Sequence, residues 1–242
     1  PSRPEPRPYA PAMPLAITED HRSLADTAAD FLARHGSLAT ARALLESTDE
    51  ALPPFWDDLI ALGWTGLHLP EEHGGSGFGL FELAVVVEQL GRALAPGPFV
   101  PSAVVSALVA AAGDATLQAD VLPGFAAGTA FGAVSLDTGV TIDGGAASGT
   151  AIALGGGLAS VLAVAVGDDV ALVDLTGDGV TVQVPTNLDP TRRAARVTLL
   201  PPAPAALGTA RARRLRPCRP GGGEGHRAAG PRGALRLLQE AH

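Results

Sequence analysis

One stretch, Leu59-Ile-Ala-Leu-Gly-Trp-Thr-Gly-Leu-His-Leu-Pro-Glu-Glu-His-Gly-Gly-Ser-Gly-Phe78, decides how this chain is interpreted. Gly63 is the residue type that ends a helix, and an apolar link follows it. Pro70 to Gly75 has the composition of a tight turn, because proline and glycine set the backbone angles that turns require. A new helix is predicted from Leu80 to Gly91. The stretch therefore predicts two helices joined by a short, apolar, non-helical connection.

Helical periodicity continues on both sides of this stretch. Thr18, followed by two acids, is a predicted N-cap, and Gly36 is the predicted end of that first helix. Glu88 and Arg92 are spaced to pair on the outer face of the fourth helix. The inward positions are predicted to be Leu24, Ala28, Phe31 and Leu32 in the first helix, Phe55, Leu59 and Leu62 in the third, and Leu80, Leu83, Val87 and Leu90 in the fourth. The other helices are predicted at Ala39 to Glu46, Pro101 to Ala112 and Asp114 to Leu122, the last ended by Pro123-Gly124.

After Gly128 the pattern changes to short β-prone runs bounded by turn residues. These runs are Phe131–Leu136, Val161–Val166, Val170–Leu175, Val180–Val184 and Ala195–Leu200. Helices first and strands second predict an α+β fold with segregated parts rather than alternating βαβ units. The expected architecture is an all-α helical bundle followed by a small antiparallel β-barrel-like domain. The predicted boundaries are a disordered Pro-rich leader at 1–14, the helical part at 15–128, the β part at 129–208 and a disordered basic tail at 209–242.

Composition narrows the class of protein. The chain has 242 residues, 46% of them hydrophobic, which is enough for a substantial core. No apolar run reaches membrane-spanning length, and the N-terminus has no apolar signal region, so we expect a cytoplasmic protein without a membrane span. The single cysteine, Cys218, excludes an internal disulfide framework and a cysteine-based zinc site. His21, His35 and His68 are too scattered to predict a metal site.

Four motifs, in order and at matching spacing, carry a family resemblance. They are Leu62-Gly-Trp-Thr-Gly-Leu-His-Leu-Pro-Glu-Glu-His-Gly-Gly-Ser-Gly, Glu82-Leu-Ala-Val-Val-Val-Glu-Gln-Leu-Gly-Arg-Ala-Leu-Ala-Pro-Gly-Pro, Leu122-Pro-Gly-Phe-Ala-Ala-Gly and Leu188-Asp-Pro-Thr-Arg-Arg-Ala-Ala-Arg-Val. From Leu15 to Leu207 the chain resembles the first two domains of the flavin-dependent acyl-CoA dehydrogenases. Nothing after Gly208 resembles their C-terminal helical domain.

The resemblance implies a substrate, a cofactor and a reaction. Members of this family use FAD to dehydrogenate an acyl-CoA thioester between its α and β carbons, with a carboxylate as base. Because that base lies in the C-terminal domain, we assign no catalytic residue here. The first flavin-contacting loop corresponds to Ser135–Gly144, where Ser135 and Thr138 offer hydroxyl groups, although the family's Gly-Ser-Asp is absent. The second corresponds to Gly155–Val164 and lacks the family's tryptophan.

Substrate and partner expectations follow from the same resemblance. The start of the fifth helix, with Phe99, Val100 and Ser102, is expected to form apolar substrate-side packing. We expect homo- or hetero-oligomers with acyl-CoA dehydrogenase subunits, and no nucleic acid. The substrate is expected to be an acyl-CoA thioester with a fatty or steroid-derived acyl group. The alternative function is a non-catalytic structural subunit of a heteromeric acyl-CoA dehydrogenase.

Three other features admit two interpretations each. Glu71-Glu72-His73 is either a carboxylate–imidazole site or, as its neighbouring Pro and Gly favour, a structural turn. Gly74-Gly-Ser-Gly is either a phosphate loop at a helix N-terminus or part of that turn. Arg192-Arg193 either binds the CoA pyrophosphate or lies on a surface or subunit contact, which we favour. A fourth feature, Gly155-Gly-Gly, is interpreted as a β-turn rather than a dinucleotide loop, because no G-x-G-x-x-G opens a helix there.

The basic tail is predicted to be a frameshift product. Residues 209–242 contain 8 Arg and 2 acids, whereas residues 1–208 contain 9 Arg and 23 acids. One back-translation of Leu237–His242, shifted by one base, encodes Tyr-Ser-Lys-Arg-Arg, which is similar to a flavin-binding motif of the family's C-terminal domain. The alternative is a disordered basic arm. Sequencing the coding DNA through and beyond the stop codon distinguishes the two.

Overall fold

In the computed structural model, the chain forms a helical part followed by one eight-stranded sheet. The helices are α1 (Glu19–Arg34), α2 (Ser37–Ala43), α3 (Trp56–Ala61), α4 (Leu80–Arg92), α5 (Phe99–Ala111) and α6 (Ala115–Ala126). The strands are β1 (Gly132–Ser135), β2 (Val140–Asp143), β3 (Ala146–Leu154), β4 (Val161–Val166), β5 (Asp169–Asp174), β6 (Val180–Gln183), β7 (Ala194–Leu199) and β8 (Ala212–Leu215). The structure describes residues 17–47, 50–112, 114–137, 139–143, 146–167 and 169–200, and the backbone of 212–215.

This order of elements confirms the predicted α+β class. Thr18 caps α1 by accepting a hydrogen bond from the backbone N–H of His21, as predicted. The first helix buries Ala28, Phe31 and Leu32, with Leu24 at the edge of the same cluster. None of the helices in the described part of the chain is both long and apolar enough to span a membrane.

Two predicted inward residues of the helices are exposed instead. Leu62 is 44% exposed because α3 ends at Ala61 and Leu62 lies beyond its apolar face. Leu80, at the first position of α4, is 58% exposed, and the buried stripe of that helix contains Val86 together with Leu83 and Leu90. Both errors lie at helix ends, where periodicity does not indicate whether a neighbour covers the residue.

The sixth helix is longer than predicted. It continues through Pro123 to Ala126 rather than stopping before Pro123-Gly124. Leu122 and Phe125 are both buried, so the apolar face extends past the proline. Proline is disfavoured inside a helix because it lacks a backbone N–H donor. The burial of Leu122 and Phe125 outweighs this cost, so the helix continues past Pro123.

The sheet contains a hairpin that the sequence did not reveal. The strands run in the order β6-β7-β3-β1-β4-β5-β8, and β2 pairs with β3 beside this path. β3 is the longest strand and pairs with β7 over six positions, yet neither β2 nor β3 was predicted. Its residues are mostly alanine, glycine, serine and threonine, which lack a strong β signal.

Among the described strands, every pairing is antiparallel except β1–β4, which is parallel with Gly132 opposite Val161. The β2–β3 hairpin supplies the crossover that a parallel pair needs. The sheet was predicted to be antiparallel, but this parallel pair makes it a mixed sheet. The pairings end at β6 and β8, and among the described residues no pairing joins these two edges.

The two faces of the sheet pack against different cores. Leu162, Val164 and Val173 point into a cluster formed by the strands alone. Ala163 and Leu172, at the alternate positions, point into a second cluster shared with helices α5 and α6. Because of this alternation, one face of the sheet packs against helices α5 and α6 and so connects the sheet to the helical part.

The tail contains a strand where none was predicted. The sequence favoured no stable structure between Arg211 and Gly233, but residues 212–215 form β8 antiparallel to β5. A strand edge with free backbone groups accepts a further strand through main-chain hydrogen bonds, largely independently of its side chains. The leader, the frameshift prediction and most of the basic tail lie outside the described residues.

Candidate functional site

The two expected flavin-contacting residues lie on the loop after β1. Ser135 is the last residue of β1 and is 3% exposed. Its Oγ accepts a hydrogen bond from the backbone N–H of Asp137 at 3.1 Å. This hydroxyl group therefore stabilises its own loop. Thr138 lies outside the described residues.

The expected substrate-side residues lie at the start of α5. Phe99 is buried, and Val100 packs against the same helical core. The Oγ of Ser102 accepts a hydrogen bond from Gly132 N–H at 3.0 Å and so ties α5 to β1. Phe99 and Ser102 both line a void of about 10 Å³, which Val100 does not reach. This void is at the lower limit for one water molecule and does not hold an acyl group.

The turn after β3 is the second stretch expected to contact flavin. Residues 155–158 form a turn, as predicted for Gly155-Gly-Gly. The N–H of Gly155 donates to the carbonyl of Arg193 at 2.8 Å, and that of Gly156 donates to the carbonyl of Ala153. These two donors are therefore already used within the protein.

Arg193 is buried, which corrects the interpretation of Arg192-Arg193 as a surface pair. Its side chain is covered between the sheet and the loop after α2. The Nη2 atom donates to the carbonyl of Ser47 at 2.8 Å, and Nε donates to the carbonyl of Pro190 at 3.4 Å. Arg193 is thus a bridge between the two parts of the chain. Arg192 is only half-buried.

Glu50 lies at the same junction and was not identified from the sequence. Its Oε2 atom is buried and has no hydrogen-bond partner. Burial raises the pKa of Glu50 above its usual 4.5, and the charge of Arg193 partly opposes that rise. A β-carbon at position 157 would collide with this carboxyl group, so Gly157 leaves the space that Glu50 occupies.

The Glu71–His73 segment is a single 3-10 turn, in agreement with the structural interpretation. The glycines after it do not form a phosphate cradle. The backbone N–H groups of residues 74–78 all donate to carbonyl groups within this connection. Because an anion site needs free N–H groups, the loop has none to offer a phosphate.

The partly buried His68 and the buried Ser106 form a polar pair. The Nε2 atom of His68 lies 3.0 Å from the Oγ of Ser106, and that hydroxyl group donates to the carbonyl of Ala103. The network therefore assigns the ring proton to Nε2. The Nδ1 atom is buried without a partner, and burial lowers the pKa of His68 from 6.5 to about 4.

His21 and Glu82 join the beginnings of α1 and α4. The Nε2 atom of His21 is 3.1 Å from the Oε1 of Glu82, and its Nδ1 accepts from the backbone N–H of Thr18. The other Glu82 oxygen accepts from Gly79 N–H at 2.9 Å and caps α4. The pKa of Glu82 is lowered, first by a hydrogen bond from its own backbone N–H and then by those from His21 and Gly79. Within the described ranges, no three His, Cys, Asp or Glu residues converge as metal ligands.

The helical part and the sheet together define a class of protein. Residues 18–129 match the family model for the N-terminal domain of acyl-CoA dehydrogenases. Residues 18–129 of the chain therefore form a domain of the acyl-CoA dehydrogenase family.

Two curated relatives show how much of such a protein is present. The chain is 36% identical over 133 residues to the acyl-CoA dehydrogenase IpdE2 of Mycobacterium tuberculosis, which covers 53% of this chain and 40% of that protein. It is 29% identical over 201 residues to IpdE2 of Mycolicibacterium smegmatis, covering 79% of this chain and 55% of the relative. The chain therefore spans about half the length of these relatives.

Solved structures share the fold of both parts. A variant of the Tcur3481-Tcur3483 steroid ACAD is 27% identical, with a TM-score of 0.68 over 81% of this chain and 58% of that one. The ChsE4-ChsE5 complex from Mycobacterium tuberculosis is 21% identical, with a TM-score of 0.71 over 93% of this chain and 61% of that one. At this identity the second likeness concerns the fold alone.

Proposed function

We propose that this chain forms the N-terminal and middle parts of a subunit of a heteromeric, FAD-dependent acyl-CoA dehydrogenase. The observation that carries the proposal is the family's helical domain followed directly by a sheet of the family's fold. Both structures described above have names that contain a pair of proteins or a complex. The proposed substrate is an acyl-CoA thioester, and the steroid enzyme among the relatives favours a steroid-derived acyl group.

Three of the groups expected to contact flavin already have hydrogen-bond partners within the protein. Ser135 is buried in its own turn, and the N–H groups of Gly155 and Gly156 are used by internal carbonyl groups. FAD binding needs donors that face the ring and the pyrophosphate. The remaining flavin contacts would therefore come from residues outside the described ranges or from a partner subunit. We derive no catalytic step for this chain.

A non-catalytic role in the same complex is the second candidate. The closed turn at 155–158 and the 10 Å³ void beside Phe99 and Ser102 favour it, because neither accommodates a ligand in this form. The two candidates share the partner and differ in whether this chain's own residues touch flavin. Substitution of Ser135 separates them.

The apolar outer face of β3 supports assembly with a partner. Ile152 is 44% exposed and Leu154 is 38% exposed, on the side of the sheet opposite the strand-only core. Leu136, directly after Ser135, is 50% exposed. Grouped exposed apolar side chains are typical of interaction surfaces. A partner that covers them would lie beside both stretches expected to contact flavin.

Co-expression with a second acyl-CoA dehydrogenase subunit tests the proposal. We expect the chain alone to purify nearly colourless, and the co-purified complex to contain flavin and to dehydrogenate acyl-CoA. Ile152→Asp should prevent co-purification, because a charge cannot be buried unpaired at an apolar contact. Leu45→Asp, at a position 66% exposed on the helical part, is the matched control and should not.

The outcomes distinguish the candidates. If Ser135→Ala lowers the flavin content of an intact complex, this chain contacts FAD; unchanged flavin supports the structural role. Tightly held flavin in equal amount with the isolated chain would contradict the need for a partner. Failure to assemble with any acyl-CoA dehydrogenase subunit would contradict the heteromeric proposal as a whole.

A further inference from the structure

We propose that Glu50 is a proton-sensitive latch between the helical part and the sheet, holding the two together more firmly when its carboxyl group is protonated. The proposal concerns the junction where Ser47 and Glu50, on the connection after α2, meet the 155–157 turn and the 190–193 segment. It is independent of the proposed function, because it requires neither flavin nor a partner.

The geometry of the junction makes Glu50 the point where the two parts meet. The carboxyl group packs against Gly157 of the turn after β3 and beside Val184 at the end of β6. Arg193 donates from the sheet part to the carbonyl of Ser47 on the same loop. Moving the sheet away from the helices would therefore bring Glu50 back into water.

Protonation favours the closed junction because Oε2 is buried there without a donor. A carboxylate oxygen that loses water and gains no hydrogen bond is destabilised in its charged form. Among the described residues, the uncharged Gly157 and Val184 lie beside the carboxyl group, and the charge of Arg193 acts on it. Arg193 is the single cation whose charge acts on Glu50 within the described residues, and it does not fully offset the burial.

The sign of the effect follows from the direction of this shift. The pKa of Glu50 is raised above 4.5 in the closed form, so that form binds the proton more tightly than the open form. The stabilisation is complete below about pH 4.5 and is lost as the pH rises through the raised pKa. Each unit of pKa difference changes the ratio of open to closed molecules about ten-fold.

A junction amide provides the readout. Gly97 N–H, in the helical part, donates to the carbonyl of Thr191 in the sheet part at 3.3 Å. We would measure hydrogen exchange at Gly97 in the full chain between about pH 4.5 and pH 8, after correction for the intrinsic pH dependence of exchange. Wild-type protein should lose protection at Gly97 as the pH rises.

Two variants and one control decide the result. Glu50→Gln has nearly the same shape but does not titrate, so the pH-dependent part of the protection should disappear. Glu46→Gln removes an exposed carboxyl group from the same connection and should leave the wild-type profile unchanged. Gly157→Ala displaces the Glu50 carboxyl group and should also remove the pH dependence.

Three outcomes would overturn the latch. One is a wild-type profile at Gly97 that does not change with pH. Another is a Glu50→Gln profile that keeps the full wild-type dependence. The third is a loss of the dependence in Glu46→Gln. Thermal unfolding of each variant at the same pH values shows whether an altered profile reflects the junction or global unfolding.

Discussion

Acidification should destabilise the protein through His68. In the folded chain the Nε2–H of this ring is satisfied by Ser106, and Nδ1 is buried without a partner. A second proton would be placed on Nδ1, where no acceptor is available and burial disfavours the charge. The imidazole group is therefore kept neutral, with its pKa lowered to about 4.

The size of the effect follows from linkage. The unfolded chain takes up a proton near pH 6.5 and the folded chain does so only near pH 4, so unfolding is promoted between these values. The stabilisation is complete above about pH 6.5 and is lost progressively as the pH falls toward 4. Between about pH 8 and about pH 5 the His68 contribution to the free energy of unfolding should fall by about 2 kcal/mol.

Denaturant unfolding of wild type and His68→Gln at these two pH values measures this contribution. Other groups also titrate, so the quantity of interest is the difference in pH dependence between the two proteins. His35→Gln, which removes a more exposed ring 3.8 Å from Asp58, is the matched control. Equal pH dependence in wild type and His68→Gln would refute the reasoning, as would an equally large change in His35→Gln.

The remaining predictions concern packing and helix ends. Gly75→Ala should lower the free energy of unfolding by about 3 kcal/mol, because the new methyl group collides with the backbone of Leu69. A lower midpoint in denaturant unfolding measures this loss. Gly91→Ala, on α4 with open space around it, should instead stabilise the protein by up to about 1 kcal/mol; destabilisation there would contradict the assignment of free space. Glu82→Ala should cost about 1 kcal/mol through the lost cap of α4. A double-mutant cycle with His21→Ala that shows purely additive losses would argue against their hydrogen bond.

Local chemistry made the helical part predictable. The Thr18 cap, the buried face of α1, the stop at Gly63 and the Glu88–Arg92 ion pair at 3.0 Å were all predicted and are present. Each depends on residues within a few positions of one another, so the spacing along the chain contains the necessary information. Trp56 and Trp64, which are 4% and 3% exposed, belong to the same helical core.

The longest strand could not be predicted in the same way. β3 consists of small and polar residues, and its strand conformation is stabilised by pairing with β7, about forty residues later in the sequence. Strand propensity reflects packing against neighbours more than a backbone preference. The hairpin of β2 and β3 is therefore visible only once the whole sheet has formed.

The candidate site also has features that the sequence indicated and features that it did not. The family motifs indicated the two stretches expected to contact flavin and the start of α5, and these remain predictions about function. The sequence did not indicate that Ser135 is buried in its own turn, or that Arg193 bridges to Ser47. It also did not indicate Glu50, which appears in the sequence as an ordinary surface acid beside a pair of prolines.

The sequence by itself determined the resemblance to the family, the placement of the helices before the strands, the helix caps and most of the helical core, because these depend on short-range spacing and residue type. Only the tertiary structure decided which polar groups lose contact with water. The Oε2 atom of Glu50, the Nδ1 atom of His68 and the side chain of Arg193 are buried by segments that lie far away in the sequence. Desolvation depends on every atom within a few ångströms of a group, whichever part of the chain supplies it, and the linear sequence does not contain that neighbourhood explicitly.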